Sequence, residues 1–228
     1  MSSSTAEPAG RSRPVSSNQS GPHPGLAACV RRCRTHRHQR PLPAHARAPL
    51  TALDALVAAH GEVVLDSGCG TGESSLALAV AHPRALVIGI DKSAARLARA
   101  ANHPPHPRVC FARVGLEDAW HHARVAGWPV AAHYLLYPNP WPKQHQFTRR
   151  WHARAAFADL LALGGRLELR TNWALYAAEF ALALDYWCHC TAVAEALPPG
   201  PPLSLFERKY RASGHRLYRV VAALGRPR

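Results

Sequence analysis

The sequence predicts an α/β fold, a doubly wound and mostly parallel sheet covered by helices, and three observations carry that expectation. Short apolar runs typical of buried strands alternate with helix-period segments from residue 60 onward. Glycine turns and capping residues fall between them. The length of 228 residues and a hydrophobic content of 47% suit one globular domain with a tail, not a string of modules.

The elements follow in order. Glu62-Val63-Val64-Leu65-Asp66 reads as a short buried strand, closed by a glycine turn and followed by an apolar-periodic helix over 74–81. Residues 85–90 form a second strand ending at Asp91, and Ser93 is placed to cap a helix through Ala101. A strand at 108–112, a helix at 116–126 and an apolar strand at 130–136 come next. One helix is expected from 149 to 163, stopped by Gly164-Gly165, then a strand at 166–170, a helix at 173–184 and a β-branched strand at 216–224. Repeated β-α units place a ligand beyond the carboxyl ends of the strands.

Charge narrows the partners. Twenty-eight Lys and Arg against 14 Asp and Glu give a formal +14, which calls for a polyanion or an acidic membrane surface. Residues 1–50 hold eight Arg and one acid, residues 51–200 hold 13 basic and 12 acidic residues, and residues 201–228 hold seven basic and one acidic. The chain therefore reads as a Ser/Pro/Arg-rich disordered tail over 1–50 and a folded domain over 51–228. No stretch approaches the roughly 18–20 apolar residues that span a bilayer, so a soluble chain with no membrane partner is expected. The best apolar run of the tail, 25–30, is too short for a secretory leader. Three of the six cysteines fall in or beside core strands and turns, which suits reduced cytoplasmic thiols. Cys29, Cys33, His36 and His38 match no standard zinc spacing, and no metal is expected.

Four motifs sit at strand ends. Asp66-Ser67-Gly68-Cys69-Gly70-Thr71-Gly72 follows the first strand, with glycines that let a ligand touch the backbone. A dinucleotide fingerprint wants glycine where Glu73 stands, which disfavours a nicotinamide pyrophosphate. Tyr137-Pro138-Asn139-Pro140-Trp141-Pro142-Lys143, stiffened by three prolines, can hold a flat base against an aromatic ring. The same loop also reads as a rigid crossover packed on the core. Thr171-Asn172-Trp173 tips the fifth strand, and Ser204-Leu205-Phe206-Glu207-Arg208-Lys209-Tyr210 precedes Gly214-His215-Arg216-Leu217. Trp120, Trp128, Trp151 and Trp187 read as packing residues, and His121-His122 as a solvated helix face.

The glycine turn, with Asp91 at the next strand end, resembles motif I of class I S-adenosylmethionine-dependent methyltransferases. The ordered set of four motifs, over residues 60–222, resembles the bacterial tRNA (guanine-N7)-methyltransferases. That resemblance implies a seven-stranded Rossmann-like sheet, S-adenosyl-L-methionine as donor, tRNA as partner and N7 of a variable-loop guanosine, usually position 46, as target. It also implies donor contacts from Asp66, Gly68, Gly70, Gly72, Asp91 and Gly115, with Asp66 near the donor's ammonium and Asp91 on the ribose hydroxyls. Substrate contacts are implied at Lys143, at His145, Arg149 and Arg150 of the following basic stretch, and at Asn172, Ser204, Phe206 and Glu207.

Asn139 takes the catalytic position, where the family has an acid, and Asn172 replaces a second family aspartate. The acid expected near the adenine is replaced by Gly115 or a neighbour, with Glu117 and Asp118 close by. N7 has a free lone pair, so no general base is needed and the demand on Asn139 is geometric. Two other readings are a pseudoenzyme that binds RNA without turnover and a methyltransferase acting on another RNA or a small molecule. Removing residues 1–50 is expected to weaken RNA affinity without abolishing transfer.

Overall fold

The computed structural model describes residues 12–35 and 41–225. Its elements are α1 (Leu26–Thr35), α2 (Ala44–His60), β1 (Val63–Ser67), α3 (Glu73–Ala81), β2 (Leu86–Asp91), α4 (Ala94–Ala100), β3 (Val109–Arg113), α5 (Leu116–Val125), β4 (Val130–Leu136), α6 (Phe157–Ala162), β5 (Gly165–Thr171), α7 (Ala174–Cys188), β6 (Ala194–Ala196), α8 (Leu205–Ala212) and β7 (Tyr218–Leu224). The described strands form one sheet in the order β3-β2-β1-β4-β5-β7-β6. β3 through β5 pair in parallel and β7 runs antiparallel to both of its neighbours. Strand order reverses between β1 and β4, and a doubly wound sheet opens a ligand crevice at such a point.

Sequence pattern explains the placement. β1 and β2 are buried along their whole length, as central parallel strands flanked on both faces should be. β5 alternates instead, with Leu167 and Leu169 in the main core and Glu168 and Arg170 on the other face. Trp120 is fully buried with its indole N–H on Ser67 Oγ (3.0 Å), and Trp187 donates to the His152 carbonyl (2.9 Å). Trp128 donates to Asp54 (2.7 Å), and Trp151 meets Trp120 edge-on, so all four expected packing tryptophans pack.

Three expectations are corrected. Much of the segment read as a tail is folded: Leu26, Cys29 and Val30 of α1 and Ala46 and Leu50 of α2 are buried in the core, and α1 lies against α7. Its apolar residues recur at helical spacing, and α2 carries Pro43 at its cap and Pro49 within it. His36 and His38 lie outside the described residues, while Cys29 and Cys33 both direct their thiols at the Ala153 carbonyl. The single helix expected over 149–163 is broken into 3-10 turns at 144–149 and 151–153 followed by α6. Arg150 between the turns is extended (φ −70°, ψ 142°), and its side chain is buried. His121 and His122 are half-buried and paired with Asp159 (3.2 Å) and Asp54 (2.9 Å), so that helix face is packed and not solvated.

Candidate active site

β1 delivers Asp66 to the crevice, and the turn after it carries Gly68, Gly70 and Gly72 at φ of 90°, 57° and 86°. A Cβ on Gly68 or Gly70 would meet nothing within 4 Å, so the backbone there lies bare to the crevice. Asp66 sits beneath the turn, 1% exposed. Its Oδ2 accepts from Ser74 Oγ (2.6 Å) and Ser75 Oγ (2.7 Å), whereas Oδ1 is buried without a partner. Burial outweighs the two hydroxyls and pushes the carboxyl up to about 6. Such an oxygen is satisfied by a cationic donor. Asp91 closes the other side, accepting from the Gly70 N–H (3.1 Å) and the Ser93 N–H (2.8 Å). Gly115 opens α5, and Asp118 turns its buried carboxylate back on it: a Cβ at 115 would lie 3.1 Å from Asp118 Oδ2.

The second half of the site grows from β4. Tyr137 (φ 51°) and Trp141 (φ 46°) are non-glycine residues in the left-handed region, strain of a kind that collects at functional loops. The Tyr137 N–H donates to the Arg170 carbonyl (2.8 Å), which ties the loop to β5. Asn139 is exposed at the tip, its Oδ1 accepting from the Trp141 N–H (3.3 Å). Lys143 and His145 are exposed, and the Arg149 guanidinium lies over the Trp141 ring at 4.9 Å.

From α8, Phe206 is exposed and stacks with Tyr210, which packs on Tyr137 (5.5 Å) and on His215 (5.3 Å). Asn172 donates from Nδ2 to His215 Nδ1 (3.0 Å). Arg208 pairs with Glu73, the first residue after the glycine turn (3.2 Å). The four motifs thus join at one edge of the sheet.

Not every implied contact faces that edge. Arg150 is 1% exposed and forms a bidentate pair with Glu179 (2.7 and 2.8 Å) while donating to the Trp141 carbonyl (3.0 Å). Glu207 is fully buried and accepts from Arg170 (3.0 Å) and Arg211 (2.7 Å). Both were expected on the substrate; both instead spend their charge inside, because a lone buried ion is too costly to leave unpaired. Ser204 Oγ is engaged as the cap of α8, accepting from the Glu207 N–H (3.2 Å).

A family model described as "Putative methyltransferase" matches residues 60–220. A tRNA (guanine-N(7)-)-methyltransferase of Halorhodospira halophila is 30% identical over 194 residues, covering 75% of this chain and 79% of that protein. One of the same name from Leifsonia xyli is 31% identical over 179 residues, with 74% and 79% covered. The chain belongs to the tRNA (guanine-N7)-methyltransferase family.

Solved structures add the fold. The antibiotic-resistance methyltransferase Kmr superposes with a TM-score of 0.53 at 22% identity, over 77% of this chain and 93% of that one. A variant of the 16S rRNA (adenine(1408)-N(1))-methyltransferase from Catenulisporales acidiphilia, solved with its cosubstrate SAM, gives 0.54 at 18% identity, over 78% and 92%. The sheet of this tRNA (guanine-N7)-methyltransferase family member is therefore that of class I methyltransferases.

Sequence reading of the family member missed Glu179 and the segment Ser12–His23. Glu179 receives Arg150, His152 (2.8 Å) and the His23 N–H (2.9 Å). Although burial opposes it, the hydrogen bond from His152 and the Arg150 guanidinium hold this carboxyl at about 2. The signal was present, since an acid on the apolar stripe of Tyr176, Ala177, Phe180 and Leu184 demands a buried cation. Nothing in the sequence pattern of residues 12–23 marks them as ordered.

Proposed function

We propose that this chain transfers a methyl group from S-adenosyl-L-methionine to N7 of a guanosine in cytoplasmic tRNA, in the variable loop by family resemblance. The observation that carries it is the buried, partnerless Asp66 Oδ1 beneath the open Gly68–Gly70 backbone, joined to the proline-tryptophan loop through α8. Asp66 would meet the donor's ammonium, Asp91 its ribose hydroxyls and Asp118, over Gly115, the adenine side.

The donor supplies an electrophilic methyl on a sulfonium. N7 attacks with its lone pair, the electrons of the broken C–S bond remain on sulfur, and no proton leaves, so no base is required. Asn139 can accept one guanine N–H with its amide oxygen, while Trp141, backed by Arg149, offers a flat face. Lys143 and His145 stand exposed where phosphates would lie.

Amides at both 139 and 172 favour a second reading, an RNA-binding protein of the same fold that does not turn over. Calorimetric titration with the donor and methyl incorporation into unmodified tRNA separate the two. Donor binding with transfer supports the enzyme, and RNA binding with no donor affinity supports the alternative.

A further inference from the structure

The segment before α1 is fastened across the carboxyl edge of the sheet at four residues. The Ser12 N–H donates to Ser213 Oγ (3.1 Å), and the Ser12 carbonyl accepts from His215 Nε2 (3.5 Å). Ser17 Oγ donates to the Pro142 carbonyl (2.8 Å), at the end of the proline-tryptophan loop. Gln19 donates to Glu179 (3.1 Å) and accepts from Arg150 (3.2 Å), and His23 stacks on Phe147 with centroids 3.7 Å apart. Every anchor lies on, or next to, an element that carries a substrate motif.

Between this strap and the sheet edge lies a pocket of about 420 Å³. Ser12, Pro14 and Val15 line it from the strap, and Asn172, His215 and Arg216 line it from the sheet edge. Donation from Asn172 Nδ2 to His215 Nδ1 leaves Asn172 Oδ1 as an acceptor, and fixes the His215 proton on Nε2, toward the Ser12 carbonyl. Arg216 is exposed at the rim, its guanidinium over Tyr218. An apolar wall, one edge acceptor and a rim cation are what an unstacked nucleobase with its phosphate requires.

We propose that the strap is a wall of the RNA site: a nucleobase of the substrate enters between Val15 and Asn172, its donor edge on Asn172 Oδ1 and its phosphate near Arg216. This rests on the tRNA reading above and adds to it a binding element outside the four motifs.

The test uses the full chain with Val15→Trp, which fills the pocket, Val125→Trp as a control at an exposed α5 valine that does not line it, and Ser17→Ala with Gln19→Ala to release the strap. Steady-state transfer to unmodified tRNA is read beside calorimetric donor affinity. Val15→Trp should raise KM for tRNA about tenfold or more, as the loss of one stacked base does, with donor affinity unchanged and Val125→Trp near wild type. Releasing the strap should raise KM in the same direction. An unchanged KM in Val15→Trp overturns the proposal while leaving the transfer reading intact, and faster transfer on release overturns it in favour of a cover. If the wild type transfers no methyl, the functional reading fails. A benzophenone side chain at position 15 then decides the wall: a tRNA crosslink supports it, and no crosslink, with one formed from position 143, overturns it.

Discussion

At Asp66 the partnerless Oδ1 has to be ionised to meet a cation, and burial has pushed that carboxyl up to about 6. The folded value lies above the ordinary 3.8, so the stability this group contributes is full below 3.8 and is lost as pH rises through about 6. Bound donor reverses that balance by pairing the charge. Donor affinity is therefore expected to fall up to about tenfold per unit as pH drops below about 6, measured by calorimetric titration across that range. An affinity flat with pH would separate Asp66 from the donor. Asn139 makes a different demand, since its amide can accept a guanine N–H but adds no charge. Asn139→Asp should speed single-turnover transfer by roughly five- to thirtyfold, the worth of about 1–2 kcal/mol; a slower variant would show that the acid does not grip the base here. The glycine turn and Asp91 were legible because backbone freedom and strand-end acids leave their mark in spacing. Arg150 and Glu207 were not, because a charge in sequence does not reveal the partner folded against it.

Among the elements, α7 is the one whose buried acid ties the others together. Glu179 meets Arg150, His152 and the strap at once, and removing either member of the Arg150–Glu179 pair leaves an uncompensated buried charge. Arg150→Met or Glu179→Gln should cost about 3–5 kcal/mol in denaturant unfolding. A loss under about 1 kcal/mol would place the pair in solvent, where ion pairs are worth that little. The pH sign follows from the same cluster. Glu179 at about 2, below the ordinary 4.5, contributes stability that is present above 4.5 and lost as pH falls toward 2. Burial also lowers His152, so its contribution is lost in the same direction, below 6.5. Six of the seven described strands and α3, α4, α5 and α7 were legible from their periods, whereas β6 and the break at Arg150 were not, the latter because tertiary pairing there overrides helical propensity. α8 was not among the expected helices, although Ser204-Leu205-Phe206-Glu207, a serine followed three residues later by a glutamate, is a start signal.

For the whole molecule, the charge of +14 proved a better guide to partner than to domain boundary. Half of it lies in residues 1–50, yet Leu26, Val30 and Leu50 from that segment are core residues. Each stabilises the fold by about 1.5–3 kcal/mol, a total comparable to the stability of an ordinary domain. Removing residues 1–50 should therefore unfold the protein or lower its melting temperature sharply, and not merely weaken RNA binding as composition alone implied; an unchanged thermal transition would restore that simpler view. Composition hid the two helices because an Arg- and Pro-rich segment can still present one apolar stripe. Methyl transfer to N7 of a tRNA guanosine is tested by labelled S-adenosylmethionine incubated with unmodified tRNA. The expected result is incorporation at one guanosine, cleaved there by borohydride and aniline as 7-methylguanosine is; donor binding with no incorporation into any tRNA would contradict it.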